Sequence, residues 1–361
     1  MEQNEKSVRK KIKFKYAFCV DWSIIMANIS VLGAGSWGLG LALLLNNNGH
    51  NVTVWSVLND EVVMLQTERE HKRCLPGVRI PDSITISGDT ANVINNADVL
   101  VLAVASPYTR STAKLIAPFV KEGQIIVNVA KGVEEHTLLT LCQIVEEEIP
   151  QAKVAVLSGP SHAEEVSRGI PTTCVIGAHE KNTAEYLQNI FMSDVFRVYT
   201  SPDMLGICIG GALKNVIALA AGIADGLGYG DNTKAALMTR GIAELTRLGE
   251  ALGGKPETFS GLTGVGDLIV TCTSVHSRNR KAGYLMGKGM TADEAMKEVK
   301  MVVEGVYSAK AALGLAKKCN VSVPIVEAVN RVLFENADPK EEVSNLLLRE
   351  RKQEHTNLEW N

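Results

Sequence analysis

Residues 28–38 read N-I-S-V-L-G-A-G-S-W-G. A short apolar, β-rich run, 28–32, enters Gly33-Ala34-Gly35-Ser36-Trp37-Gly38, a G-x-G-x-x-G pattern. Alone the pattern is weak. Here it follows a strand-like run and opens a helix-like one over 36–48, with Trp37, Leu41, Leu44 and Leu45 along one apolar face. In that setting Gly33 permits the tight turn, Gly35 lets the backbone approach a pyrophosphate, and Gly38 lets helix and strand pack closely. The helix N-terminus then offers free N–H groups and the positive end of its dipole. Gly33, Gly35, Ser36, Trp37 and Gly38 are therefore candidate dinucleotide contacts.

Working outward, further apolar runs at 52–55, 99–103, 125–129, 154–157 and 173–176 read as strands. Helical patterns near 107–118, 137–148 and 181–191 separate several of them, which predicts a parallel sheet covered on both faces. Beyond about residue 202 strand signals largely stop. The stretches 203–226, 232–252, 279–287, 291–299, 305–319 and 324–335 all suit helices. Asp231 or Asn232 is placed to cap one, Gly253-Gly254 to end it, and Thr291 with Asp293-Glu294 to start another. The expected fold is α/β: a Rossmann-like, doubly wound, mainly parallel sheet followed by an all-α C-terminal domain. The expected division is an extension over 1–26, a dinucleotide-binding domain over 27–205, an all-α substrate and catalytic domain over 206–345, and a charged tail over 346–361.

The 361 residues suit two domains, since single cores stop growing at about 250–300 residues. A net charge of -3 gives no excess of cations for phosphate backbones, which argues against nucleic acid as a partner. Seven scattered cysteines without a C-x-x-C fit reduced thiols in a cytoplasmic protein, not a disulfide framework or a metal site. No apolar run reaches the ~18 residues of a membrane span. The first 25 residues begin basic, but Asp21 interrupts any signal-like apolar region, so they read as an extension without a role in the fold.

Within G-I-C-I-G-G-A-L-K-N, residues 206–215, Lys214 stands among small apolar side chains. It reads either as a snorkelling stem or as a buried amine placed for proton transfer. Lys131-Gly132 and Ser158-Gly159-Pro160-Ser161 each follow a strand, where open α/β sheets bind ligands. Asp267 reads as a helix cap or a site carboxylate. Ser277-Arg278-Asn279-Arg280, at a helix start, offers N–H groups, a hydroxyl, an amide and a bidentate cation suited to a phosphate monoester. At the end of the second strand, Ser56-Val57-Leu58 supplies neither the acid that grips a ribose diol nor an Arg. Arg69, Lys72 and Arg73 follow shortly after. NADP is favoured and NAD stays open.

These motifs make the chain resemble the NAD(P)-dependent glycerol-3-phosphate dehydrogenases of the bacterial soluble type. The resemblance runs from 27 to about 340, through GAGSWG (33–38), LPG (75–77), NVAKG (128–132), SGPSHAEEV (158–166), GGALKNVIALAAGIADGLGYGDNTKAALMTRG (210–241), GLTGVGDLIVTCTSVHSRNR (261–280) and VVEGV (302–306). It implies reduction of dihydroxyacetone phosphate to sn-glycerol 3-phosphate, a phospholipid precursor. It implies Lys214 as proton donor and acceptor, and Lys131 beside both cofactor and substrate. Gly159, Ser161, Asp267, Ser277, Arg278 and Asn279 match substrate contacts. Ser36, Trp37, Ala163, Arg278, Val302 and Glu304 match cofactor contacts. The family often carries Arg or His where this chain has Ser56-Val57-Leu58, and an aromatic at Cys74 and at His162. A homodimer is the expected assembly.

In the mechanism this predicts, the charge growing on the ketone oxygen is stabilised and protonated by the Lys214 ammonium. Asn215, on the same turn, positions the amine or the substrate. An apolar wall and Lys131 lower the amine's pKa while Asp267 raises it, so the sequence does not fix the net. Arg278, Ser277 and Asn279 hold the phosphate as a non-reacting handle. The competing readings are a β-hydroxyacid dehydrogenase of the same architecture and a non-catalytic NAD(P) sensor.

Overall fold

The computed structural model describes residues 26–351, 353–354 and 360. The reading of 1–25 as an extension lies outside the described residues, as does Cys19. Eight strands form one sheet: Asn28–Leu32 (β1), Asn51–Trp55 (β2), Thr85–Ser87 (β3), Val99–Leu102 (β4), Ile125–Asn128 (β5), Lys153–Ser158 (β6), Thr172–Ala178 (β7) and Phe196–Ser201 (β8). Their order is β3-β2-β1-β4-β5-β6-β7-β8. All neighbouring pairs are parallel except β6 with β7. The strand order reverses beside β1, and a crevice opens at that switch point beyond the carboxyl ends of the strands.

Both faces of the sheet are covered, by Ser36–Asn47 (α1), Asn59–Glu68 (α2), Thr90–Asn95 (α3), Thr109–Ile116 (α4), Leu141–Glu148 (α5), Ala163–Val166 (α6) and Lys181–Phe191 (α7). The strands show why. Val99 and Val101 of β4 enter one core with Leu39 and Leu187. Leu100 and Leu102 enter the opposite core with Ile116 and Val145. Side chains alternate across a strand, so a strand buried on both sides must be apolar throughout. Strands β3 and β8 carried no continuous apolar run: β3 has three residues, and β8 alternates buried and exposed positions.

After β8 the chain is helical: Met204–Gly226 (α8), Asp231–Ala251 (α9), Pro256–Phe259 (α10), Asp267–Thr273 (α11), Arg278–Gly287 (α12), Ala292–Val299 (α13), Glu304–Cys319 (α14), Pro324–Phe334 (α15) and Pro339–Leu347 (α16). Several ends differ from expectation. Asp203 caps α8 by accepting from Gly206 N at 2.9 Å. The cap of α9 is Gly230, with Asp231 the first helical residue rather than the cap. Thr291 and Glu294 form the expected capping box of α13. A helix, α16, occupies part of the charged stretch before the tail.

The central strut is α8. Its first turns, with Met204, Ile207 and Cys208, pack under the sheet. From Ile209 onward it forms the middle of the helical core. The helix is long and apolar enough to cross a membrane, yet nearly all of it is buried inside the protein. It crosses α12 closely because both present glycines. A Cβ on Gly222 would sit 2.8 Å from Tyr284 N, and one on Gly283 would sit 2.9 Å from the Leu219 carbonyl carbon. That crossing fixes the start of α12 over the crevice.

Candidate active site

One cleft gathers residues from both halves of the chain. Gly35, Ser36 and Trp37 come from the β1–α1 turn, Lys131 from the loop after β5, and Ser161 and Ala163 from the segment after β6. Lys214 and Asn215 come from α8, Asp267 and Thr271 from α11, Ser277, Arg278 and Asn279 from the start of α12, and Glu304 from the start of α14. Gly33, Gly38, Gly159 and Val302 do not line its wall. The first two shape the turn behind it. The carbonyls of the other two accept hydrogen bonds from Lys131 Nζ (2.9 Å) and Arg278 Nη1 (3.2 Å).

At the floor is a buried three-charge group. Lys214 is 4% exposed, which removes the snorkelling reading. Its Nζ donates to Asp267 Oδ1 and, at 2.5 Å, to Thr271 Oγ1. From the sheet side, Lys131 Nζ donates to Asp267 Oδ2 at 2.6 Å. Asp267 is 1% exposed, and its carboxylate is spent on the two lysines rather than on capping α11, whose N-cap is Gly266. Asp267 and Thr271 share a face of α11 because they are four residues apart. Small residues bring α8 close: a Cβ on Gly211 would lie 3.5 Å from Lys131 Cγ, and one on Gly210 would lie 2.7 Å from the Thr263 carbonyl oxygen.

The charges fix one another. Burial pulls the Lys214 amine down to about 8; Lys131 adds to the fall and Asp267 opposes it. Burial would raise the Asp267 carboxyl, but the two ammonium groups outweigh it and hold it below its ordinary value. The result is an amine that can both give and take a proton near neutral pH.

Asn215 sits beside Lys214 and accepts from Asn279 Nδ2 at 2.9 Å, while Asn279 Oδ1 accepts from Gly305 N at 2.9 Å. Asn279 thus ties α8, α12 and α14 together. Asn215 Nδ2 stays buried without a partner, a donor facing a cleft built for a polar ligand. Ser277 caps α12, accepting from Arg280 N at 3.2 Å, and Arg278 stands next to it half-buried. Burial pushes the Glu304 carboxyl up, opposed by the Arg278 charge.

At the other end, the β1–α1 turn suits a dinucleotide's phosphates. Gly33 has φ +119°, and a Cβ there would lie 2.9 Å from the Ala103 carbonyl. A Cβ on Gly35 would meet nothing within 4 Å, so open space lies over the turn. The first turn of α1 carries no acid and no capping side chain, and its N–H groups are free for an anion. Ser56-Val57-Leu58 carries no acid, but the Glu61 carboxylate from α2 comes back to it: Ser56 Oγ donates to Glu61 Oε2 at 2.5 Å, and His71 Nε2 lies 3.2 Å from Glu61 Oε1. Arg69 and Lys72 are engaged elsewhere. Arg69 donates to the Ile84 carbonyl at 2.8 Å, and Lys72 pairs with Glu68 at 2.8 Å.

Two family models cover this architecture. Residues 28–184 match the N-terminal part of NAD-dependent glycerol-3-phosphate dehydrogenase, and residues 203–344 match the C-terminal part. A glycerol-3-phosphate dehydrogenase [NAD(P)+] of Agathobacter rectalis is 64% identical over 335 residues, covering 93% of this chain and 100% of the relative. The chain belongs to the NAD-dependent glycerol-3-phosphate dehydrogenase family. A Fusobacterium nucleatum glycerol-3-phosphate dehydrogenase [NAD(P)+] is 60% identical, covering 91% of this chain and 99% of the relative. The crystal structure of the Coxiella burnetii glycerol-3-phosphate dehydrogenase superposes with a TM-score of 0.87 at 35% identity, covering 90% of this chain and 99% of that one.

Sequence reasoning about this glycerol-3-phosphate dehydrogenase family member passed over Thr271. Its signal was present, since a hydroxyl one turn after Asp267 faces whatever Asp267 faces. It also left His162 and His276 without a role, although both line the cleft.

Proposed function

We propose that this chain catalyses reversible hydride transfer between NAD(P)H and dihydroxyacetone phosphate, giving sn-glycerol 3-phosphate. The observation that carries the reading is the buried Lys131–Asp267–Lys214 group between a phosphate-accepting glycine turn and the Ser277–Arg278 corner. When bound, the nicotinamide supplies or takes the hydride at the substrate's C2. Lys214 Nζ stabilises the charge on the C2 oxygen and gives it a proton; in the reverse direction the neutral amine takes that proton back. Asp267 orients the amine, and Thr271 Oγ1 restricts its rotation. Arg278 and the N-terminus of α12 hold the substrate phosphate, so that remote binding aligns the reacting carbon.

The same reading assigns the product to glycerophospholipid synthesis, the site of action to the cytoplasm and the assembly to a homodimer. Ile269, Val275 and Tyr284 are exposed on the helical half, 47%, 81% and 41% respectively, and supply apolar surface for pairing; sedimentation velocity tests it.

The deciding assay is the initial rate of NADPH and NADH oxidation with dihydroxyacetone phosphate. Turnover with either cofactor is expected, and none with 3-oxo acids. An Arg278→Ala variant is expected to raise KM for dihydroxyacetone phosphate at least about 10-fold while barely changing the weak reaction of dihydroxyacetone, because it removes a charge-assisted grip on phosphate.

A further inference from the structure

The sequence places His162 between Ser161 and Ala163, two of the candidate ligand contacts. Its backbone caps α6: the His162 carbonyl accepts from Glu165 N and Val166 N, both at 3.1 Å, and the side chain takes no part. The imidazole is left to turn into the cleft, whose wall it shares with Lys131, Lys214 and Ser277. There its Nε2 is buried with no hydrogen bond of good geometry, the Val270 backbone being near enough to influence the ring. From across the cleft the His276 ring meets it, centroids 5.9 Å apart and planes inclined by 56°, which restrains its orientation.

Burial and the charges of Lys214 and Lys131 lower the pKa of His162 below its ordinary value, against the smaller pull of Glu164 and the Val270 backbone, which favours the neutral ring. A neutral imidazole is a poor partner for a phosphate already offered Arg278 and a helix N-terminus. It is a good partner for an alcohol, which donates and accepts and so suits either tautomer. A buried ring nitrogen left unpaired is costly, and a ligand hydroxyl relieves that cost.

A three-carbon keto phosphate has three polar groups. The reading above, on which this inference rests, gives the ketone oxygen to Lys214 and the phosphate to the Ser277–Arg278 corner. Neither assignment covers the primary hydroxyl on the remaining carbon, and Asn215 Nδ2, the other unpaired group in the cleft, can only donate to it. We propose that His162 Nε2 holds this hydroxyl and selects hydroxymethyl ketone phosphates over methyl ketone phosphates.

The test compares kcat/KM for dihydroxyacetone phosphate and for hydroxyacetone phosphate, which lacks the primary hydroxyl, in the full-length protein and in His162→Phe and His162→Gln variants. The unaltered protein should prefer the hydroxylated substrate by ten-fold or more, since sites that hydrogen-bond a substrate hydroxyl reject analogues without it. His162→Phe keeps a flat ring against His276 and should cut that preference about ten-fold; His162→Gln, which keeps a polar tip, should restore part of it. An equal loss on both substrates would assign the ring to packing and overturn the proposal. So would a substrate ratio that neither variant changes. If His162→Phe does not fold, His162→Leu, which also has no polar tip, takes its place, and an unchanged substrate ratio in it overturns the proposal. Failure of the unaltered protein to reduce dihydroxyacetone phosphate at all would instead remove the dehydrogenase reading beneath it.

Discussion

At the residue scale, the chemistry of Lys214 follows from what replaces its water. In solution its amine holds a proton until about pH 10.4. Packed inside α8, with one shared carboxylate and one hydroxyl as partners, it releases the proton near pH 8. In the proposed mechanism the ammonium is the donor for ketone reduction, so kcat/KM in that direction should be level at low pH and fall as pH rises through about 8. Oxidation of glycerol 3-phosphate needs the neutral amine and should rise over the same interval. Rates measured from pH ~6 to ~10 in both directions test the pairing of the two arms. Lys214→Ala removes the proton donor but leaves Lys131 on Asp267. It should lower kcat roughly 10²–10⁴-fold while cofactor fluorescence titrations stay close to those of the unaltered protein.

At the element scale, two helix contacts hold the cleft from behind. The α8–α12 crossing depends on glycines, and backbone atoms cannot move aside for a new side chain. Gly222→Val should lower stability by about 1–3 kcal/mol or more, seen as an earlier urea midpoint. Because α12 begins with Ser277 and Arg278, the same variant should also raise KM for the phosphorylated substrate. The second contact is Glu244 of α9, 3% exposed, which accepts from Ile325 N at 2.9 Å and Val326 N at 3.3 Å at the start of α15. Burial lifts its carboxyl to about 7, against the pull of those N–H groups. The folded value lies above the unfolded one, so the native state binds the extra proton. Stability from this site is full below about pH 4.5 and is lost as pH climbs through about 7, on the order of 3 kcal/mol in all. Glu244→Gln keeps an acceptor and removes the titration. Its melting temperature should therefore change less between pH ~5 and ~8 than that of the unaltered protein, and should exceed it at the alkaline end.

At the scale of the whole molecule, the site is a seam. Lys131 reaches from the sheet to a carboxylate of the helical half, and that carboxylate also holds Lys214. The proton affinity of the amine on one side is therefore set partly by a cation from the other. Lys131→Met removes like-charge repulsion while Asp267 remains, so the pH arm of kcat/KM should move upward from about 8. An arm that stays in place would show that burial and Asp267 set the amine without Lys131. The proposed ligand contacts draw on both sides of the same seam, and ligand binding should accordingly raise the thermal midpoint of both halves together.

Periodicity and local chemistry made much of this molecule legible in advance. Doubly buried strands must be continuously apolar, so 99–103 and 125–129 announce themselves; β3, which is short, and β8, which is half exposed, do not. Glycines at 33 and 38 predict their turn because a Cβ at either would strike neighbouring backbone. Side-chain partnerships are a different matter. The sequence named Lys131, Lys214 and Asp267 separately but could not say that one carboxylate is shared by two ammonium groups. Nor could it say that Glu61 comes back to Ser56, or that the nitrogen of His162 is left unpaired. Those facts depend on segments distant in the chain meeting in three dimensions, where loss of water sets proton affinities. Local pattern determined which elements form; only their packing decided what each polar side chain faces.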